Sequence, residues 1–313
     1  MSRPIKKILI IGIGGGADII GTIPSKVYFE KKGVKCYLAG LPWERYSIDP
    51  YPGPRTFESI TNLKRINSTL GLVDKNTCTF DGLYFSESKT AKYISNKIYL
   101  LNIFNSFSNI CDDLVSFCSK QNIDCILGVD VGGDILAKGD EKGLASPLAD
   151  SIMLSILYKI SNKIQTYIGM LGFGSDGELS HSELTSSLSN ISKKNGLIKS
   201  FGINLDSYKI MKKLISNIET DASRIPILSY EGKFGLTPIR RGRIQVDVHP
   251  LCQITFVLNT KILYKNISKI SQLISKTDNF FDANEILLKN NYPSEFHYEN
   301  KKHKESISLR NKE

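Results

Sequence analysis

No stretch of this sequence strings together eighteen apolar residues, so no membrane-spanning helix is expected. Six cysteines in 313 residues are too few for a disulfide scaffold. Cys111, Cys118 and Cys125 recur at intervals of seven, which invites a metal ladder. The first two, however, fit one face of the helix-like stretch NICDDLVSFCSK, and the third falls in the strand that follows, so buried free thiols are expected. No repeat of fixed period occurs, and no linker divides the chain. Neither a Ser–His–Asp order nor a Cys–His motif can be assigned from spacing, which leaves nucleophilic catalysis without support.

What is present is an ordinary globular composition, 41% hydrophobic and 23% charged, long enough to bury one large core or two modest ones. The opening MSRPIKKILIIGIGGG imitates a signal peptide, but its short apolar part breaks into glycines where a strand should turn into a helix. It reads as a first strand, and the protein as cytoplasmic. A net charge of +10 points to an anionic partner. Because that charge is scattered and mostly lysine, a phosphorylated small molecule is preferred over nucleic acid. The mixed-charge ending ENKKHKESISLRNKE predicts a solvated tail over 298–313 behind one domain over 1–297; whether copies assemble into a homo-oligomer is left open.

Along the chain, apolar strand-like runs alternate with helical periods. KKILIIG and VKCYLAG read as strands, as do IDCILGVDV and IQTYIGML. TAKYISNKIYLLNIFNSFSNICDDLVSFCSKQN is helical in period over much of its length, and LASPLADSIMLSILYKISNK begins with Ser146 as N-cap and Pro147 in the first turn. Ser180 and Glu183 form a capping box for the helix after GFGSDGE, and β elements are expected near Val246 and Ile254. The alternation predicts an α/β, Rossmann-like doubly wound fold with a mainly parallel sheet and helices on both faces.

Three glycine–acid turns follow predicted strands. In GIGGGADIIG, Gly12, Gly14 and Ala17 satisfy the dinucleotide pattern, with Gly15 and Gly16 between them. Glycines let a backbone approach phosphate, and a helix N-terminus attracts it. Yet Asp18 would oppose a pyrophosphate there, and no acid stands near the end of the second strand until Glu44. In GVDVGGDILAKGDE, Asp130 and Asp134 flank Gly132 and Gly133 directly after a core strand, where carboxylates can hold Mg²⁺. Asp140 and Glu141 read as a solvated acidic loop. In GFGSDGE, Gly174 precedes Asp176 and Glu178, either of which could serve as acid or base, while His181 reads as a surface residue. If the strands are parallel, all three turns converge at one sheet edge, where open α/β sheets bind ligands. A fourth stretch, PIRRGRIQVDVHP, concentrates Arg240, Arg241 and Arg243, three of only nine arginines, in a form suited to phosphate. His249 beside it reads as a satisfied core histidine.

IGIGGGADIIGTIP, GVDVGGDILAKGDEKGLASPLADS and GFGSDGELS, in that order, resemble the family known as domain of unknown function 1152, found mainly in archaea and some bacteria. The resemblance spans the chain to about residue 290. It implies a cytoplasmic α/β protein in which Gly14 to Asp18, Asp130 to Asp134 and Asp176 to Glu178 share a site, and it implies no catalytic role for any of them.

The residues lead to an enzyme acting on a phosphorylated metabolite or nucleotide by Mg²⁺-assisted transfer or hydrolysis. In that reading Asp130 and Asp134 position the metal or a ribose, with either able to act as a general base. The first glycine turn and Arg240 to Arg243 hold phosphate, and Asp176 or Glu178 serves as acid or base. An NAD(P)-dependent oxidoreductase and a non-catalytic nucleotide-binding regulator are the alternatives.

Overall fold

The computed structural model describes residues 4–310. Five parallel strands form the centre of a nine-stranded sheet, in the spatial order Ile98–Leu101, Lys35–Gly40, Lys7–Gly12, Cys125–Val131, Gln165–Leu171. In chain order that is third, second, first, fourth, fifth, the doubly wound arrangement expected. The order reverses between Lys7–Gly12 and Cys125–Val131, the switch point at whose carboxyl ends open α/β sheets commonly take their ligands. The other four strands join through antiparallel pairings: Ile254–Asn259 and then Leu197–Gly202 at one edge, Leu70–Val73 and then Lys64–Arg65 at the other.

The first strand shows why the sheet lies between two helical layers. Leu9 and Ile11 enter one apolar core, and Ile8 and Ile10 enter the other. A strand buried on both faces needs apolar residues at its buried positions, and Ile8 to Ile11 supply them after the half-buried Lys7. Helices Phe107–Gln121 and Leu148–Ile160 cover the first face; Thr22–Glu30 and Leu205–Ile215 cover the second. Cys111 and Cys118 are buried in one core and Cys125 in the other, all three as free thiols. Among the described residues no helix is long and apolar enough to cross a membrane.

Three readings need correction. Ile98–Leu101 is a strand inside the segment read as largely helical, which instead holds helices Ser86–Ala91 and Phe107–Gln121 on either side of it. A four-residue strand buried on both faces has no alternation to betray it. Ser146 does not cap the helix Leu148–Ile160: the Leu148 and Ala149 N–H groups donate to Glu295 at 3.0 and 2.8 Å.

Glu295 belongs to the third correction. The supposed solvated tail is helical over Glu295–Arg310, while residues 311–313 lie outside the described residues. Its first turns are anchored: Glu299 accepts from Trp43 Nε1 at 3.0 Å and from the Gly53 N–H at 2.8 Å. The helix therefore straps the proline- and tyrosine-rich loop after the second strand. Glu295→Ala should strip the cap from the helix Leu148–Ile160 and cost about 1–2 kcal/mol, read as a lower urea midpoint at unchanged slope.

Candidate functional site

The first glycine turn is organised around a carboxylate. The Gly14 N–H donates to Asp18 Oδ2 at 3.0 Å. A Cβ on Gly14 would come within 2.7 Å of Asp18 Oδ2 and 2.8 Å of Asp150 Oδ2. The missing side chain thus makes room for two acids, where a dinucleotide fold would admit a pyrophosphate. Gly16 N–H donates to the Trp43 carbonyl at 2.8 Å, and a Cβ on Gly16 would stand 3.2 Å from Arg45 Nε, so a guanidinium lies against the turn.

The second turn answers the first across the switch point. Asp130, next to last in the fully buried strand Cys125–Val131, is 1% exposed. Oxygens of Asp18, Asp130 and Asp150 all lie within 4.8 Å of one another, the one such group of potential metal ligands among the described residues. Asp150 comes from the first turn of the helix Leu148–Ile160. Asp134, also buried, feels the charges of both Asp150 and Asp130. Glu141 is not solvated as expected: it is buried and staples its loop by accepting the Lys138 and Gly139 N–H groups at 2.8 Å each.

The third turn locks to the second, Gly174 N–H donating to the Gly132 carbonyl at 2.8 Å. Glu178 has both oxygens occupied. It accepts the Ala145 and Ser146 N–H groups at 2.8 and 2.9 Å, the Ser146 hydroxyl, and Arg240 Nη2 at 2.7 Å. That leaves it a positioning role. Asp176 keeps one oxygen free: Oδ1 accepts the Glu178 N–H at 2.8 Å, while Oδ2 has no partner among the described residues. Arg240 therefore reaches the cluster, whereas Arg241 and Arg243 are exposed and form no ion pair among the described residues. Exposed His181 meets half-buried His249 edge-on at 3.9 Å, outside the carboxylate group.

Burial dominates the electrostatics. It pushes Asp18 and Asp176 from 3.8 up to about 7, and neighbouring carboxylates add to the rise. Asp130, Asp134 and Asp150 go well above the usual range for the same two reasons. The sign of the linkage follows. Between roughly pH 4 and 7 the metal-free folded state holds protons that the unfolded chain releases, so its stability falls as pH rises through that window. A divalent cation held by such carboxylates would require them deprotonated and would oppose the trend. Melting temperatures in EDTA should therefore drop between roughly pH 5 and 7.5, and the Mg²⁺-induced increment should grow over the same interval.

The family model described as Protein of unknown function (DUF1152) matches residues 9–303, a span that includes all three glycine–acid turns. The chain belongs to that family. No curated protein matches the sequence. The match runs past the expected limit near residue 290 and takes in the strap from Glu295 to His303.

Sequence reasoning missed several members of the site in this DUF1152 protein. Asp150 was visible as an acid among apolar neighbours in SPLADS, but it read only as part of a helix start. Arg45, half-buried with Nε unpartnered among the described residues, lies in the proline- and tyrosine-rich loop after the second strand and has no motif to mark it. Glu87 and Glu44, each 3% exposed, lie by the end of the second strand.

Proposed function

We propose that the protein is an enzyme that transfers or hydrolyses a phosphoryl-bearing group of a phosphorylated metabolite or nucleotide with the help of Mg²⁺. One observation carries the reading: Asp18, Asp130 and Asp150 converge within 4.8 Å, and Asp130 Oδ2 and Asp150 Oδ1 have no partner among the described residues. Buried carboxylate oxygens without partners are costly, and a cation removes the cost. An all-oxygen group without histidine or cysteine suits a hard ion, and Mg²⁺ takes one or two carboxylates together with water and substrate phosphate. When bound, the ion supplies charge stabilisation to a transferring phosphoryl group.

The chain's own residues do the rest. Asp134 adds negative charge beside Asp130 and Asp150. Arg45, against the first glycine turn, and Arg240, held by Glu178, balance phosphate charge from two sides. The free Oδ2 of Asp176 takes the proton from the attacking water or hydroxyl, and a value of about 7 suits that exchange near neutrality.

The reading is tested by Mn²⁺ titration followed by electron paramagnetic resonance, alongside a turnover panel of nucleotides and sugar phosphates with and without Mg²⁺. Saturable Mn²⁺ binding and Mg²⁺-dependent turnover of one panel member are expected. No Mn²⁺ bound at millimolar concentration would sink it. Metal binding without turnover across the panel would favour the non-catalytic regulator. The oxidoreductase reading gains one point, because an acid, Glu87, does lie over the end of the second strand; it requires NAD(P) binding indifferent to Mg²⁺.

A further inference from the structure

In a dinucleotide fold the ribose hydroxyls are held by an acid at the carboxyl end of the second strand. Here that strand, Lys35–Gly40, ends in a glycine and is followed by Leu41, Pro42 and Trp43. The acid arrives from elsewhere. Glu87, in the first turn of the helix Ser86–Ala91, lies over Gly40 so closely that a Cβ on residue 40 would overlap its Oε1. Glu44 accepts the Ser86 N–H at 2.5 Å and is thereby fixed at the start of the same helix.

Both carboxylates are 3% exposed, and Glu87 Oε2 has no hydrogen-bond partner among the described residues. No basic side chain pairs with either acid among the described residues. A buried acceptor of this kind calls for a donor from outside the chain. Its location narrows the donor. Asp18 is close enough for its charge to act on Glu87, and Arg45 lies against Gly16 between the second strand and the metal-ligand group. Along neighbouring strand ends the site therefore runs from Glu87 at Gly40, past Asp18, to Asp130 and Asp176.

We propose that Glu87, with Glu44 beside it, is the subsite for a vicinal diol, so that the ligand is a ribonucleotide with its ribose against the free oxygen of Glu87 and its phosphates near Asp18 and Arg45. This rests on the metal-and-phosphate reading above and narrows its substrate class. A ribose diol both donates and accepts hydrogen bonds, so it matches a buried carboxyl group in either protonation state, whereas a bare phosphate offers mainly acceptors and negative charge.

Calorimetric titration of the full chain with ADP, 2′,3′-dideoxy-ADP and NAD⁺ in Mg²⁺ tests the proposal. ADP should bind about tenfold or more tightly than the dideoxy compound, the expected size for two hydroxyl hydrogen bonds to buried carboxyl groups. Glu87→Gln should erase that difference while leaving Mn²⁺ affinity, measured on the same samples, as in the wild type. Tighter binding of NAD⁺ than of ADP would support the diol subsite with a dinucleotide as its source. Equal affinity for ADP and its dideoxy analogue overturns the proposal, and so does failure of all three to bind a protein that takes up Mn²⁺ normally. The wild-type comparison decides the matter even if the variant does not fold. Loss of Mn²⁺ binding with ribose discrimination intact would fell the metal reading and leave the diol subsite standing.

Discussion

Asp130→Asn should leave a protein that melts higher without metal and has lost most of its affinity for divalent cations. Asp130 is almost completely buried, its Oδ2 is without a partner among the described residues, and both burial and the charges of Asp18 and Asp176 oppose its ionisation. At neutral pH the apo protein must either bury that charge or take up a proton, and each lowers its stability. Asparagine matches the shape and carries no charge, so it removes the penalty. It also removes an anionic oxygen from the group formed with Asp18 and Asp150. Changes to mere supporting residues of metal sites cost 10- to 100-fold in affinity, so loss of a ligand should cost about 100-fold or more. Calorimetry with Mn²⁺ and melting curves in EDTA check the two halves. A variant less stable than wild type in EDTA, with metal affinity intact, would mean that Asp130 is a structural residue.

Gly132→Ala should damage both fold and site. Gly132 has φ +147, a conformation that side chains other than glycine rarely adopt. A Cβ there would also overlap the Asp176 carboxylate. Backbone strain of about 1–2 kcal/mol and overpacking of about 1–3 kcal/mol combine to a loss of roughly 2–5 kcal/mol. Since the Gly132 carbonyl also accepts from Gly174, strain in one turn passes to the other. The expected result is a lowered urea midpoint together with the loss of any Mg²⁺-dependent activity. Retention of wild-type stability would show that the second and third turns are more compliant than their hydrogen bond implies.

Much of the frame is legible in the residues. Ile8 to Ile11 and Cys125 to Val129 carry no charged residue, as suits strands buried on both faces, and the capping box of Ser180 and Glu183 forms as read. Asp18, Asp130 and Asp176 do converge, because parallel strands carry their following loops to one edge. Other features left no such trace. Ile98–Leu101 is too short to show a period, and Glu295–Arg310 has few apolar positions to distinguish a packed helix from a solvated one. The three arginines of PIRRGR look equivalent in sequence, yet only Arg240 meets an acid of the site.

The sequence by itself determined the layers, the mainly parallel sheet and the edge at which the three glycine–acid turns gather, since these depend on hydrophobic period and on glycines placed directly after strands. Tertiary structure alone decided the membership of the site. Asp150, Arg45 and Glu87 reach it from helices and loops far apart in the chain. Whether a carboxylate serves as ligand, cap or staple depends on which donors and charges lie within a few ångströms, and periodicity along one chain carries no record of that distance.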